Sequence, residues 1–589
     1  MYQHVKVLGV KFAVSLETLL ILAIAIGILL RLLNLGSREF WYDEVLSLLL
    51  STGQKVAYEG PKDAPVLLAQ YTPLLDLPPE ASLKEALKTV ANLLRGLAGG
   101  EPHPPLFFLA QHLWLRLFGN GVAAVRSLGA LLSIGAIASS YGLGRAVLGH
   151  RGGLLLAALL ATNPFYLFHS LNVRMYGPLV LWTVLSAWAL LEIIGQGQQE
   201  TQNVRPSLSP KFQPVLWSLL FIGSVTAGLM TFYLFAYWVV ALVVVVLYLD
   251  RRRWWQHGLR FGVSVLLTIP WVLWGMRQQL RNADFGRFNS PPGFLSAAIA
   301  HLKDVANTLG THLLWGDWVT SLPPILITSA GVVMIGLLVA AGTTLWQWQE
   351  RRTLVVACIL GLFPLLLALG VDVVAGKFTL GFGWGRSMII ILPGCLLLLA
   401  VWLERASVSW RQPATAALLL LYLGIGISDF TLRPRSMFHE LAAIATTHAQ
   451  GASGQPTPTL IVMNSQAWGY VMRLAYYISP EVPVTLLARK SSDLAPSLQK
   501  VLAEPSIADK DCQESQPSAC LATGANYYNQ VLWLESAKPV WSPKTTEAEQ
   551  QQMQQVLAQK YQPVQTEHFT GTMPLDDLTL RLYTRSPAT

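Results

Sequence analysis

Apolar residues recur along the chain in runs of about 20, separated by short polar connectors. A run of that length, wound as a helix, crosses a hydrocarbon core of about 30 Å. The pattern predicts a polytopic α-helical membrane protein with about eleven spans. They cover about residues 15–33, 122–144, 153–170, 177–194, 214–230, 233–249, 260–276, 323–345, 353–371, 387–403 and 413–429.

Composition agrees with this pattern. Of the 589 residues, 53% are hydrophobic and 13% are charged, whereas a soluble globular protein carries about 25% charged residues. The mean hydropathy is +0.44. These values exclude a soluble enzyme, a disordered regulator and a fibrous protein. The net charge of +9 resides largely in connectors between apolar runs, so no nucleic-acid partner is predicted.

The basic residues also predict the orientation of the chain. The first run follows Lys6 and Lys11 and has no cleavage site after it, which favours a retained span with a cytoplasmic N-terminus. Alternate connectors are basic, and this bias marks the cytoplasmic side. Their basic residues are Arg145, Arg151, Arg205, Lys211, Arg251, Arg252, Arg253, Arg260, Arg351, Arg352, Arg405 and Arg411. The apolar stretch 104–119 is only about 15 residues long and contains polar residues, which favours a helix on the membrane surface.

An odd number of spans places the C-terminal tail outside the cytoplasm. Short apolar runs at about 459–463, 482–487 and 530–534 predict strands, and helical patterns at about 466–478, 490–503 and 545–558 alternate with them. The chain thus divides into a transmembrane domain, residues 1–430 with a large outer loop at 34–121, and an extracytoplasmic α/β domain, residues 431–589. Cys512 and Cys520 are disulfide candidates in an oxidising compartment, if their geometry is compatible.

Candidate chemistry begins directly after the first span, at Trp41, Tyr42, Asp43 and Glu44. A carboxylate beside aromatic and apolar residues at a membrane surface lies in a setting where its proton affinity can be tuned, which suits a general base. The alternative is structural, with Asp43 capping a helix that begins at Glu44.

Three other predicted outer segments each supply a cation or a titratable imidazole: His103, Arg174 and Arg386. Each alone is explained by a turn or by an arginine that snorkels at a span end. Together with one base they fit transfer from a phosphate-linked donor, because a phosphate leaving group needs positive charge more than a general acid. Hydrolysis of a glycosidic bond would require a second carboxylate. Nucleotide donors are cytoplasmic, so an outward site points to a lipid carrier.

Several short motifs in their order along the chain resemble those of the GT-C membrane glycosyltransferases, in particular the bacterial protein O-mannosyltransferase and aminoarabinose transferase group. The resemblance is best over residues 15–250 and weak in the tail. The motif positions are Trp41 through Glu44; His103, Pro104, Pro105 and Leu106; Phe118, Gly119 and Arg126; and Ser170 through Arg174, Met175 and Tyr176.

The resemblance implies a polyprenyl-phosphate sugar donor and inverting transfer to a hydroxyl or amine at the outer face. It implies a protein, lipid or polysaccharide acceptor, membrane lipids around the protein, and location in the inner (plasma) membrane. No metal or other cofactor is expected. The implied roles are acceptor deprotonation by Asp43; orientation of that base or sugar binding by Glu44; phosphate contacts from His103, Arg174 and Arg386; and pocket lining by Trp41, Tyr42, Tyr176 and Tyr233.

Two positions depart from the family pattern. His103 stands where aminoarabinose transferases carry Lys, so a permanent charge becomes a titrating one. Ser387 follows Arg386 where relatives often have Tyr.

Other classes of protein remain as alternatives. A lipid-linked sugar flippase or transporter would carry ionisable residues near span centres, where this chain has few. An O-antigen polymerase or ligase would use large loops later in the chain. A receptor would need far fewer spans as its anchor. The sequence therefore favours an enzyme.

Overall fold

The computed structural model describes residues 4–586 except 8–9, 14, 63, 202–212, 285, 407, 434–435, 450–456, 504–526 and 541. The chain forms two compact units. The helical unit consists of residues 1–35, 97–110 and 126–432. The sheet unit consists of residues 36–96, 111–125 and 433–589. Cys512 and Cys520 lie outside the described residues.

Helices dominate the structure. Their bounds are Leu16–Leu33, Tyr42–Ser51, Leu83–Ala98, Leu106–Phe118, Val122–Thr162, Pro164–Ser170, Tyr176–Thr201, Gln213–Leu229, Phe235–Leu249, Trp254–Leu266, Ile269–Trp271, Arg277–Asn282, Phe294–Gly310, Pro324–Gln347, Arg351–Gly361, Phe363–Ala375, Leu392–Arg405, Val408–Leu432, Met437–Ala449, Trp468–Tyr477, Ser491–Ala503 and Glu547–Ala558. Short 3-10 segments such as Arg386–Ile391 and short π-helical segments such as Thr311–Trp315 join several of them.

Many of these helices are long and apolar. Within the described part of the chain, six helices are long and apolar enough to cross a membrane, and up to eight segments qualify when each of two bent helix pairs counts as one span. Shorter apolar helices include Pro214–Leu229 and Phe235–Leu249. These are the helices of a multi-pass membrane protein, while the count of eleven spans stays a prediction. Helix Val122–Thr162 is broken at Gly149, whose φ is 82°, in the predicted connector between two spans.

Small residues let the helices of the helical unit approach closely. A Cβ on Gly331 would lie 1.9 Å from the carbonyl oxygen of Ala306, and one on Gly394 would lie 2.2 Å from the carbonyl carbon of Leu360. Such backbone contact is typical of packed helices in membranes, where van der Waals contact replaces the hydrophobic effect as the driving force.

The sheet unit is built on one mixed sheet. The strands of the chain are β1 (His4–Val7), β2 (Val10–Ala13), β3 (Val66–Leu67), β4 (Thr459–Met463), β5 (Val484–Ala488), β6 (Gln530–Ser536), β7 (Tyr561–Thr570) and β8 (Asp577–Arg585). Strands β1 and β2 form an antiparallel pair near the N-terminus. The other six form a sheet in the order β3-β5-β4-β6-β8-β7. Strand β4 runs parallel to β5 and β6, and the remaining pairs are antiparallel.

The predicted strands and helices of the tail are present, which confirms a sheet-containing domain there. Its core packs Leu460, Val462 and Trp533 from the sheet against Leu498 and Leu557 from two helices. Strands β7 and β8 were not predicted. Strand β3 belongs to the loop after the first predicted span and pairs with β5, so residues of that loop complete the sheet of the tail.

Candidate functional site

The helical unit gathers four charged or titratable side chains that we call the cation cluster: Glu101, His103, Arg174 and Arg386. Glu101 and His103 lie in the connector between helices Leu83–Ala98 and Leu106–Phe118. Arg174 lies in the turn before helix Tyr176–Thr201, and Arg386 begins the turn Arg386–Ile391. Of these, the sequence predicted His103, Arg174 and Arg386 as site residues.

One carboxylate holds two members of the cation cluster together. Glu101 Oε1 accepts a hydrogen bond from His103 Nδ1 and forms an ion pair with Arg174 Nη2 at 3.5 Å. Glu101 and His103 are each 8% exposed and Arg174 is 5% exposed. A buried ion pair of this kind persists only when its members are paired and hydrogen-bonded, since burial removes the water that would otherwise solvate them.

The environment separates the proton affinities of Glu101 and His103. Burial raises the pKa of Glu101, but Arg174 and His103 outweigh it and lower that pKa to about 2. Burial lowers the pKa of His103, and Arg174 and Arg386 add to this effect against the opposing Glu101 carboxylate. At neutral pH the cluster therefore holds one carboxylate, two guanidinium groups and a neutral imidazole. It carries a surplus positive charge in a buried setting.

Gln279 fixes the connector that carries Glu101 and His103. Its buried amide nitrogen donates to the backbone carbonyls of Leu97, Glu101 and His103, the last at 2.9 Å. The Tyr233 hydroxyl donates to the Gln279 amide oxygen. Tyr233, predicted to line the pocket, thus contacts the residue that supports the connector.

Aromatic rings pack against the Arg386 and His103 side chains. The Arg386 guanidinium lies 5.5 Å from the centre of the Tyr176 ring and 5.6 Å from that of Phe382. The His103 ring stacks on Phe232 at 5.5 Å. A guanidinium lying over a ring face gains cation–π attraction and is held in a defined orientation. The structure therefore brings Tyr176 together with Arg386.

An unusual turn positions Arg386. Gly383, Trp384 and Gly385 all have positive φ, at 57°, 61° and 77°. A Cβ on Gly383 would lie 2.4 Å from Arg386 Nε, so glycine is needed there for the observed geometry. For Trp384 a left-handed conformation costs energy, and such outliers concentrate at functional sites.

A buried carboxylate anchors the same loop. Asp372 is 1% exposed, and its oxygens accept from Thr379 N at 2.8 Å, Thr379 Oγ1 at 2.7 Å and Leu380 N at 2.9 Å. Ser387 Oγ donates to the carbonyls of Thr379 and Leu380. The loop that carries Arg386 is thus tied down on both sides of the glycine-rich turn.

The predicted base lies in the sheet unit, at the start of helix Tyr42–Ser51. Trp41 occupies the N-cap position, and Glu44 Oε2 accepts from Trp41 N at 3.1 Å. The alternative that Asp43 caps a helix beginning at Glu44 is therefore wrong. Asp43 is half-buried in the first turn, where the helix dipole favours a carboxylate, and Glu44 is fully buried.

Residues of the C-terminal tail hold the segment before this helix. A Cβ on Gly469 would lie 2.5 Å from the Tyr42 ring, which also packs edge-on against Tyr470. Phe40 N donates to the Tyr477 hydroxyl at 2.7 Å. Glu39 accepts from the first backbone N–H groups of helix Met437–Ala449. Burial raises the pKa of Tyr42 well above its ordinary value, so its hydroxyl stays protonated.

Metal ligation has no obvious location in the described residues. No group of three or more His, Cys, Asp or Glu side chains within the described ranges could hold an ion.

Glu101 and Gln279 are the main additions to the predicted site. Neither residue belongs to a recognisable sequence motif. Only their burial beside the predicted cationic residues indicates a role for them.

Comparisons with known proteins identify the fold of the chain. Residues 102–274 match the family model for dolichyl-phosphate-mannose-protein mannosyltransferases. The structure matches ArnT from Cupriavidus metallidurans in the apo state, with a TM-score of 0.51 and 12% identity over 96% of this chain and 97% of that chain. The fold is that of a GT-C glycosyltransferase.

Other GT-C structures complete the comparison. ArnT from C. metallidurans bound to undecaprenyl phosphate matches with a TM-score of 0.52 and 12% identity, over 96% of this chain and 98% of that chain. The Archaeoglobus fulgidus oligosaccharyltransferase, in a complex with Zn and sulfate, matches with a TM-score of 0.46 and 12% identity over 96% of this chain and 73% of its own. No curated protein matches the chain. The resemblance drawn from the sequence motifs is confirmed, and with it the expectation of a membrane glycosyltransferase.

Proposed function

We propose that this GT-C enzyme transfers a sugar, with inversion, from a polyprenyl-phosphate carrier to a hydroxyl or amine acceptor at the outer face of the plasma membrane. The cation cluster is the observation that carries the proposal. A buried guanidinium from Arg174 and a buried imidazole from His103 contact one carboxylate, and the half-buried Arg386 guanidinium acts on the same imidazole. The undecaprenyl phosphate named with ArnT is an anion of the kind such a cluster would bind.

The charges suit the proposed reaction. A polyprenyl-phosphate sugar is a phosphodiester with one negative charge. When the bond between the anomeric carbon and the phosphate oxygen breaks, the electron pair stays on that oxygen and the lipid phosphate gains a second negative charge. Arg174, Arg386 and His103 would stabilise this developing charge, and preorganised cations in a dry site are effective because they need no reorganisation during the step.

Asp43 is our candidate for the base. It would take the proton from the acceptor hydroxyl or amine as the acceptor atom bonds to the anomeric carbon from the face opposite the phosphate. Glu44 is less suited to this role, because it is fully buried and one of its oxygens already accepts from Trp41 N. We assign Glu44 to orienting the Asp43 segment, and Trp41 and Tyr42 to lining the acceptor side.

The competing proposal is a lipid-linked sugar flippase. The two are distinguished with purified protein in vesicles that contain a polyprenyl-phosphate sugar and an extract of candidate acceptors. A transferase releases sugarless polyprenyl phosphate and labels an acceptor, whereas a flippase moves the intact lipid between leaflets. Movement of intact lipid without release of polyprenyl phosphate would overturn the proposed function.

The acceptor can be identified in cells. Mass spectrometry of envelope glycolipids and glycoproteins, with and without this protein, should show one lipid-linked sugar accumulating and the same sugar lost from one product. Cells that carry an Asp43→Asn variant should match cells without the protein. Cells carrying that variant with the wild-type pattern would contradict the assignment of the base.

A further inference from the structure

Several buried polar atoms beside the cation cluster have no hydrogen-bond partner among the described residues. They are Thr308 Oγ1, His169 Nδ1, Asn172 Nδ2 and one ring nitrogen of His312. Their side chains are at most 4% exposed. Buried polar groups are hydrogen-bonded in the great majority of cases, so this concentration within one unit calls for an occupant.

These atoms border the turn that carries Arg386. The Phe165 ring lies between His169, at 4.4 Å, and His312, at 4.3 Å. One ring nitrogen of His312 interacts with the backbone of Gly385, which leaves the other nitrogen for a ligand. A Cβ on Gly385 would lie 2.6 Å from Thr308 Oγ1, so that hydroxyl also lies against the turn.

Tyr176 lies between His169 and Arg386. Its ring contacts His169 at 5.3 Å on one side and supports the Arg386 guanidinium at 5.5 Å. A ligand phosphate on Arg386 would therefore have its substituents within reach of the imidazole, hydroxyl and amide groups.

The hydrogen-bonding capacity of these groups indicates which part of a ligand they would bind. A neutral imidazole offers one N–H donor and one acceptor nitrogen, a threonine hydroxyl offers both, and an asparagine amide nitrogen donates. A sugar hydroxyl is likewise a donor and an acceptor, whereas a phosphodiester only accepts. A cationic amino sugar would bring a second positive charge toward Arg174 and Arg386, which disfavours it.

We propose that His169, His312 and Thr308 form the subsite for the sugar ring of the donor, and that this sugar is neutral and bears hydroxyl groups. The inference rests on the proposed function, because it takes the phosphate of the same donor to lie on Arg386. The proposal concerns the sugar of the donor, which the cation cluster, as a phosphate site, would not discriminate. Hydrogen bonds to substrate hydroxyls give strong discrimination, since a ligand that lacks the hydroxyl leaves buried polar groups unpaired.

The test compares the affinity of the full-length protein for two lipids, polyprenyl phosphate and a polyprenyl-phosphate hexose. The variants are His312→Phe and His169→Phe, which keep a ring in contact with Phe165 but remove the nitrogens. Replacing an unsatisfied buried polar group by an apolar one of similar shape is close to neutral for folding. His301→Phe is the matched control, because His301 is also buried and stacks on Phe378 at 4.1 Å.

Each variant should weaken hexose-lipid binding at least tenfold and change the affinity for sugarless polyprenyl phosphate less than twofold. His301→Phe should change neither. His312→Asn, which restores a hydrogen-bonding side chain, should recover part of the loss. A polyprenyl-phosphate amino sugar should bind wild type more weakly than the hexose lipid does.

Three outcomes would overturn the subsite. Unchanged hexose-lipid affinity in both phenylalanine variants would show that the buried atoms are satisfied by water alone. Equal losses for both lipids would show that the histidines serve the phosphate or the fold. Tighter binding of the amino sugar would refute the substrate class. Wild-type protein that binds neither lipid would instead refute the proposed function, which separates the two failures.

Discussion

Glu101→Gln should destabilise the protein strongly at neutral pH. Its carboxyl pKa lies at about 2 instead of the ordinary 4.5. Because each unit of pKa corresponds to about 1.4 kcal/mol, the buried cluster favours the carboxylate by about 3 kcal/mol. The glutamine variant loses this interaction and leaves Arg174 buried without its counter-ion, a change that typically costs about 3–5 kcal/mol. We expect a loss of roughly 3 kcal/mol in the free energy of unfolding.

The destabilisation caused by Glu101→Gln should depend on pH in a direction that the pKa of Glu101 determines. The pKa of Glu101 is lower in the folded state, so its stabilisation is present above the unfolded value of about 4.5 and is lost as the pH falls toward 2. The difference in unfolding free energy between wild type and variant should therefore stay constant from about pH 5 to pH 8 and narrow at pH 4.

Denaturant unfolding in detergent, followed by tryptophan fluorescence at pH 7, 5.5 and 4, measures this difference. Glu59→Gln is the control, because both partners of the Glu59–Lys62 pair are about three-quarters exposed, at 77% and 78%, and its midpoint should not move. Combining Glu101→Gln with Arg174→Met should cost less than the sum of the single changes. The reasoning would be refuted if Glu101→Gln were as stable as wild type at pH 7. It would also be refuted if the difference in unfolding free energy between the two proteins were no smaller at pH 4.

Three further predictions concern the proposed reaction. Asp43→Asn should abolish sugar release in a turnover assay yet bind the donor as wild type does, and normal turnover would exclude Asp43 as the base. Arg386→Ala should weaken donor affinity about tenfold or more, because a charge-assisted hydrogen bond contributes about 1.5–3 kcal/mol; Arg116→Ala, in a surface pair with Glu80, should leave it unchanged. The pKa of His103 is lowered below its ordinary 6.5 by burial, so the imidazole is neutral at pH 7 and affinity for the phosphodiester donor should rise only as the pH falls below 6.5. That rise should be absent in His103→Lys, and an equal rise in this variant would assign the effect to another group.

Elements with a strong local pattern could be predicted from the sequence. Strands β4 and β5 are buried at every position and consist of short apolar runs. Strand β7 is exposed over most of its length, with Tyr561 and Phe569 buried near its two ends, so no apolar run or alternation marks it. Its pairing with β8 decides its structure, and pairing is not visible in the local sequence.

The candidate site shows the same limit. Arg174 and Arg386 could be singled out because each stands at the end of a predicted span on the predicted outer side, and His103 because it precedes the predicted surface helix on that side. Glu101 could not be given a role, since its function in the cluster depends on contact with Arg174 from a distant turn. The cap at Trp41 was also missed, because tryptophan is not a usual capping residue and the Glu44 carboxylate meets the exposed backbone N–H in its place.

Strand β3 has a consequence for how the chain is threaded through the bilayer. It is hydrogen-bonded to β5, and Glu39 bonds to residues roughly 400 positions away. Both segments must therefore lie in the same compartment, so the polypeptide between them must cross the membrane an even number of times. The ten spans predicted from about residue 122 to 429 satisfy the condition. During synthesis, strand β3 must wait for the last quarter of the protein before its sheet can close.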